Sequence, residues 1–412
     1  MGLRHRGRRR AMLLAPLLLI GAGLAACGDD GDPGGSTLDE PTTVTIGFIG
    51  PLTGPTAPAM KPLEDGARAA VEYLNSGKAT APNVTYRLES RDSAADPNRA
   101  AVLVRELIDA GARMVIGDVG SAPGFIAEQT VFNREKVIGF TTTPSDSIWK
   151  DAGADKAYPW AFGISGDDTM FVTPLYENAV ERSENGKIGQ IYYDAGTVPG
   201  WAELTRNLAK ADGVDLPTEA FAPTATDVKS QLRSLQDKGV DTVIVWAFGT
   251  AIQTVLTNLD QLGWYPNVVA LPDAGRDSVV QAVPEKVMEK VVAGPIASTF
   301  ASEDGSAPTG IVGEFLAALS KVTGRGPGQY GQIDITGSYT FDVILAYDAA
   351  IAKAGSTDPA AVREALESGM KVEGAMGVHT WSPEDRTGFE ATSFAMFDPR
   401  KPCVNGTCVL AS

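Results

Sequence analysis

Three short polar runs carry the residue types that could do chemistry. Ser121 follows an apolar run that ends at Gly117 and precedes a helix expected to begin near Pro123. A hydroxyl at a helix N-terminus, beside free backbone N–H groups and the positive end of the dipole, can grip a carboxylate. It can equally do no more than cap its helix. Thr141-Thr142-Thr143-Pro144-Ser145 offers hydroxyls and amides after another apolar run. It reads either as a lining for a ligand or as a polar loop capping residues 147–150. Asp273 stands in Leu271-Pro272-Asp273-Ala274-Gly275. A carboxylate in a cleft is costly unless paired, so a cationic ligand group is its natural partner. The alternative is an N-cap for a short helix after Gly275. These groups can hold a charged molecule; nothing around them transforms one. No Gly-x-Gly-x-x-Gly opens the first helix and no P-loop is present. His379 stands near Trp381 with no nucleophile motif around it, which suggests a surface or hinge position. The expectation is a binding protein and not an enzyme, with no cofactor and no metal.

The start of the chain says where such a protein would work. Arg4, Arg6, Arg8, Arg9 and Arg10 precede an apolar stretch over residues 11–24. A charged start, a short apolar centre and small residues at the end make a secretory signal peptide. A spanning helix needs about 20 apolar residues, and this stretch is shorter. Leu24-Ala25-Ala26-Cys27 resembles the lipobox of bacterial lipoproteins. The resemblance implies cleavage before Cys27, with lipid on its thiol and on the new amine. Residues 1–26 are then the signal, and residues 27–41, rich in Gly, Asp, Pro, Ser and Thr, the lipidated cysteine and a flexible tether. Cys403 and Cys408 flank Val404-Asn405-Gly406-Thr407, in which Asn-Gly is a tight-turn signal. A disulfide suits an exported chain. Metal binding suits it poorly, because His379 is the sole histidine after the signal and there is no second cysteine pair.

The elements that must position these groups alternate regularly. Apolar runs at 44–49, 85–90, 114–117, 137–141, 188–193, 242–247, 268–271 and 291–296 read as strands buried on both faces. Helices with clear punctuation lie between them. Asp96-Pro97 starts one and Gly111 stops it; Asp227 caps another, which Gly239 ends. Strand–helix alternation predicts doubly wound parallel sheets. Five units by residue 163, then a fresh set, predict two similar lobes, as 412 residues allow. Ligands of open α/β sheets bind beyond the carboxyl ends of the strands, which selects the loops at 50–62, 118–125, 141–149, 194–201, 248–252 and 271–275. The net charge of −16 includes the five arginines of the leader, so the remainder is more acidic still. Such a chain is repelled by nucleic acid and anionic lipid, leaving the lipid as its sole hold on a membrane.

At those loops the sequence resembles the branched-chain-amino-acid-type substrate-binding proteins of ABC transporters. The residues that carry the likeness are Gly50-Pro51-Leu52-Thr53-Gly54; Gly66-Ala67-Arg68-Ala69-Ala70; Asp92 with Asp96-Pro97; Val115-Ile116-Gly117 before Ser121; Thr226-Asp227-Val228 before Asp241-Thr242-Val243; and Gly263-Trp264 before Pro272-Asp273. It extends over residues 44–397. It implies a type I periplasmic-binding-protein fold: two α/β lobes joined by three crossings, with the ligand in the cleft between them. The crossings are expected near Ile164, Ala297 and Ala391. Lobe 1 then comprises residues 42–163 and 298–390, and lobe 2 residues 164–297 and 391–412. By the same resemblance Ser121 grips a ligand carboxylate, Ser145 adds a hydroxyl and an N–H, and the backbone of Thr143 and Pro144 lines the floor. Asp273 meets the α-ammonium. Two positions depart from the family pattern. Val198-Pro199-Gly200-Trp201 stands where an aromatic followed by Gly is usual, so Trp201 either supplies that surface or packs inside the lobe. Phe248 stands where a tyrosine often lies. Val198, Trp201 and Phe248 make the site more apolar. The implied function is a monomeric, lipid-anchored, extracytoplasmic binder of a branched-chain or other apolar amino acid that serves the permease of an ABC importer. The alternatives are a sensor subunit, or a binder of a small carboxylate or amide.

Overall fold

The computed structural model describes residues 37–54, 57–149, 158–195, 197–222, 224–326, 329–330, 334–389, 394–401, 403 and 406–411. The leader and Cys27, the expected crossing at Ala391, and Val404 and Asn405 lie outside the described residues.

All eight apolar runs form strands, and three further strands, two short parallel ones and an antiparallel one from the end of the chain, complete the sheets. The first sheet contains β1 (Thr42–Gly50), β2 (Val84–Asp92), β3 (Ala112–Ile116), β4 (Ile138–Thr141) and the short β5 (Ala161–Gly163). Its order is β2-β1-β3-β4-β5 and every pairing is parallel. The second contains β6 (Ile188–Tyr193), β7 (Thr218–Phe221), β8 (Thr242–Trp246), β9 (Asn267–Ala270) and β10 (Val291–Ala297). A small β11 (Ala301–Ser302) and the hairpin β12 (Lys371–Gly374) and β13 (Gly377–Thr380) follow, then β14 (Phe394–Phe397) and β15 (Cys408–Val409). The second sheet runs β14-β10-β9-β8-β6-β7, with β14 antiparallel to β10 and the remainder parallel. The inner strands β8 and β10 are buried along their whole length. That is why their sequences read as unbroken apolar runs and not as alternation. The missed strands β5 and β7 are short, and β7 is only partly buried, so neither leaves a strong signal.

The helices are α1 (Ala57–Tyr73), α2 (Ala100–Asp109) and α3 (Ala122–Glu135) with the first sheet. With the second come α4 (Asp168–Arg182), α5 (Val198–Ala211), α6 (Lys229–Asp237), α7 (Gly249–Leu262), α8 (Asp277–Ala282) and α9 (Glu285–Met288). Next are α10 (Gly310–Thr323), α11 (Gly337–Ala354) and α12 (Pro359–Glu367); α10 and α11 return to pack on α1. The punctuation acts as its residue types require. Asp96 accepts the Asn98 N–H at 3.0 Å, and Gly111 takes φ +93 behind α2. Asp227 accepts the Lys229 N–H at 3.0 Å, and Gly239 takes φ +76 behind α6. Among the described residues no helix is long and apolar enough to cross a membrane. Cys403 and Cys408 form a disulfide.

Two expectations are corrected. The end of the tether is part of the fold: Leu38 is buried, its carbonyl accepts the Asn83 side-chain amide at 2.9 Å, and Thr37 bridges to Ser356. One apolar side chain in a polar run suffices to dock it. His379 does not lie on the surface. It is fully buried on β13, with Nε2 3.0 Å from Asp342 Oδ2 and Nδ1 2.9 Å from the Gly388 carbonyl. Asp342 also accepts the N–H groups of Ala375 and Met376, so one carboxylate organises the β12–β13 turn. Trp381 stacks on His379 and donates from Nε1 to the Gly163 carbonyl at 2.8 Å, which ties this hairpin to the end of the first sheet.

The crossing of α1 and α11 depends on missing side chains. A β-carbon on Gly66 would overlap the Gly337 carbonyl oxygen, and one on Gly337 would lie 2.6 Å from the Pro62 oxygen. Gly66→Ala must therefore push the helices apart and should lower stability by about 1–3 kcal/mol or more. Gly200, in α5, is exposed with nothing within 4 Å of its β-carbon. Gly200→Ala should be neutral or add up to about 1 kcal/mol. Urea denaturation of both variants measures the difference, and a Gly66→Ala protein as stable as wild type would contradict the close crossing.

Candidate ligand-binding site

Each sheet presents a polar cluster at its carboxyl edge. At the first, β3 ends at Ile116 and the chain turns through Asp118 into α3. Ser121 is the N-cap residue, with extended backbone, and its Oγ accepts the Gly124 N–H at 3.1 Å. The serine thus does what its position predicts of any N-cap. It is half-buried, and its own proton remains to be donated. β4 delivers the hydroxyl run beside it. Thr143 Oγ1 accepts the Gly120 N–H at 3.1 Å, and the Thr143 N–H donates to Thr141 Oγ1 at 3.0 Å. The two loops are thereby fixed to one another. Pro144 is half-buried, while Ser145 is buried, with its hydroxyl 2.8 Å from that of Ser147.

Two acids that sequence reasoning passed over lie beneath this edge. Asp118 is 1% exposed and Glu128, on α3, is completely buried. Both Glu128 oxygens accept the Asp118 N–H, at 3.0 and 3.1 Å. Burial pushes both carboxyl groups up, and repulsion adds to it, from Asp96 on Asp118 and from Asp118 on Glu128. Each holds its proton more tightly folded than unfolded. Their contribution to stability is therefore present at low pH and is lost as the pH rises through the raised values. Asp118 lies inside the 118–125 loop that the sheet rule singles out, so its position was readable although its burial was not.

At the second edge β6, β8 and β9 end in Tyr193, Trp246 and Ala270. Asp273 follows β9, 7% exposed. It does not cap the helix after Gly275, because α8 begins at Asp277 with no side-chain cap. Instead its Oδ1 accepts the N–H of Gly249, the first residue of α7, at 2.9 Å. Phe248 at the N-cap of α7 has no side-chain acceptor, so the carboxylate caps that helix from 24 residues away. Arg276 stands 2.9 Å from the same oxygen, its Nε–H off the hydrogen-bond line. Asp273 therefore already has one cation beside it.

Aromatic rings pack together at this edge. Trp201 is 4% exposed and packs inside the lobe, against Trp246 and Phe248, each with centroids 5.9 Å away. Its Nε1–H donates to Asp168 Oδ1 at 2.7 Å. Val198 is buried too, at the start of α5. Phe248 is half-buried and meets Tyr193 edge-on at 6.1 Å. Burial pushes the Tyr193 phenol up, and the charge of Asp273 pushes it further. Of the candidates at this edge, Phe248 and Asp273 stand together, with Tyr193 and Arg276 as partners that no motif announced. Val198 and Trp201 lie behind them as packing. Among the described residues no group of acidic, histidine or cysteine side chains could hold a metal ion.

Comparison with known proteins places this architecture. The family model described as periplasmic binding protein matches residues 43–401. The Leu/Ile/Val-binding protein homolog 3 of Brucella melitensis biotype 1 is 22% identical over 202 residues, covering 48% of this chain and 53% of that protein. The chain thus spans about half the length of that curated relative. The leucine-, isoleucine-, valine-, threonine- and alanine-binding protein of Pseudomonas aeruginosa is 22% identical over 344 residues, covering 79% of this chain and 82% of that protein. In structure, an extracellular ligand-binding receptor from Rhodopseudomonas palustris HaA2 superposes with TM-score 0.71 at 18% identity, covering 90% of this chain and all of the other. The parallel sheets, the returning helices on α1 and a family match over nearly all the described fold agree: this chain belongs to the periplasmic binding protein family, with the type I architecture of two α/β lobes.

Proposed function

We propose that this chain captures a small zwitterion, an apolar amino acid of the leucine, isoleucine and valine type, between its two lobes and delivers it to an ABC importer. The observation that carries the reading is Asp273, a nearly buried carboxylate beside the Tyr193 and Phe248 rings at the carboxyl edge of the second sheet. An acid in apolar surroundings favours a cationic group, and the rings favour an apolar side chain next to it. The first sheet supplies the complementary half: the Ser121 hydroxyl at the α3 N-terminus and the Thr143–Ser145 loop, suited to a carboxylate. The names of the Brucella and Pseudomonas relatives point the same way.

One feature favours a second reading. Arg276 shares Asp273, so a ligand without an ammonium leaves no bare charge there. A small carboxylate such as isovalerate fits that arrangement.

Asp273→Asn separates the two. Asparagine keeps an acceptor for the Gly249 N–H and removes the charge. For an amino-acid binder the variant should lose about 2–5 kcal/mol for leucine, on the order of 30-fold to several-thousand-fold. Ser121→Ala should cost less, about 1.5–3 kcal/mol, because a helix amide still faces the ligand. Calorimetry with leucine and isovalerate reads both. Unchanged leucine affinity in Asp273→Asn would refute the ammonium contact.

The anchor is part of the same proposal. With lipid on Cys27 the protein partitions to membranes; Cys27→Ala should appear in the soluble extracytoplasmic fraction with leucine affinity unaltered. Fractionation and blotting decide it: a variant that stays with the membrane rules out lipid at Cys27.

A further inference from the structure

The α3 end of the first sheet holds a charge that ligand capture alone does not explain. The Asp118 side chain is 1% exposed and neither oxygen has a hydrogen-bond partner of good geometry; the nearby Ser93 and Ser121 hydroxyls only partly offset the upward push of burial. The carboxylate is aimed at the N-terminus of α3: a β-carbon on Gly124 would overlap Asp118 Oδ2 and stand 2.8 Å from Ser121 Oγ. The Ser93 and Ser121 hydroxyls flank it, and Ser93 Oγ is itself buried without an aligned partner.

The charge acting on Asp118 shares its sign: Asp96 repels it from the turn before α2. Glu128, on α3, is itself pushed well up by burial and accepts the Asp118 N–H. Asp92, at the end of β2, is turned to the Leu52, Thr53 and Ala94 amides. The β4 loop brings the Thr143 hydroxyl and α1 the Met60 thioether to Gly120, both uncharged. A ligand carboxylate at Ser121 is thus a further anion in a buried acidic site. Carboxylates that share such a site cannot all be ionised. The Ser121 hydroxyl accepts from Gly124 and has one proton to give. An ionised Asp118 competes for that proton; a protonated Asp118 leaves it to the ligand.

We propose that seating a ligand carboxylate at the N-terminus of α3 takes up one solvent proton, held on Asp118, so that Asp118 ties ligand capture to pH. The inference rests on the reading that a ligand carboxylate is held at Ser121. The proton returns to solvent on release, and no covalent bond of the ligand changes. Burial moves Asp118 in the direction this requires.

Calorimetry from about pH 5 to about pH 8.5, in buffers of different ionisation enthalpy, tests it with three probes: leucine, isovalerate (no ammonium) and leucinol (no carboxylate). The affinities of leucine and isovalerate should fall about tenfold per pH unit once Asp118 ionises in the free protein, with close to one proton taken up. Leucinol binding should be flat. Asp118→Asn should abolish the slope, and Glu128→Gln should keep it. A flat wild-type profile for leucine, or a slope surviving in Asp118→Asn, overturns the proton coupling and leaves the amino-acid reading standing. Isovalerate binding with the slope while leucine does not bind overturns the amino-acid reading and supports the coupling. If none of the three binds, both fall.

Discussion

Parallel pairing is the constraint on which this molecule depends. Strands that run the same way end at the same edge, so each sheet gathers its loops along one side. The crossovers need helices, the helices cover both faces, and the strands become apolar throughout. With the faces committed to packing, polar side chains are left at the edge. Ser121, Thr143 and Ser145 are gathered at one edge, and Phe248 and Asp273 at the other, because β3 and β4 are neighbours, as are β8 and β9.

Helix N-termini are the second recurring device. α3 is capped locally by Ser121, the ordinary solution. α7 is capped from a distance by Asp273, since Phe248 has nothing to offer. One carboxylate thereby fixes a helix end, pairs with Arg276 and raises the Tyr193 phenol. Its place is over-determined by the scaffold, which is what a ligand contact needs for preorganisation. The first sheet buries Asp118 and Glu128 at the corresponding position. Their carboxyl groups are held towards the protonated form, whereas the exposed acids that give the chain its negative charge are solvated.

The segment that returns after β10 binds the halves of the chain together. α10 and α11 cover α1, with the Gly66–Gly337 approach setting how closely. Beyond them, Arg386 donates to the Pro159 carbonyl and pairs with Glu367, and its own carbonyl accepts the Gly163 N–H. Trp381 reaches the same glycine. The two ends of β5 and the residues before β14 are therefore stitched side by side where the chain leaves the first sheet for the second.

Much of this was legible in sequence because it is local. Strand periodicity, Asp96 and Asp227 at helix starts, and Gly111 and Gly239 at helix ends each depend on a few adjacent φ and ψ values. The loops at the strand ends follow from the alternation alone, and they do contain Ser121, Thr143, Phe248 and Asp273. Strand β7, being short and half-exposed, left no such pattern. Burial and pairing were not legible, because they join residues far apart in the chain. His379 looked like a surface residue until Asp342, 37 positions earlier, received it. Asp273 looked bare until Gly249 and Arg276 met it. Asp118 was one acid among many until the fold placed it under α3 with Glu128 and away from water. A sequence determines which groups are charged and which turns are possible; the cost of a charge depends on what surrounds it, and only tertiary packing decides that.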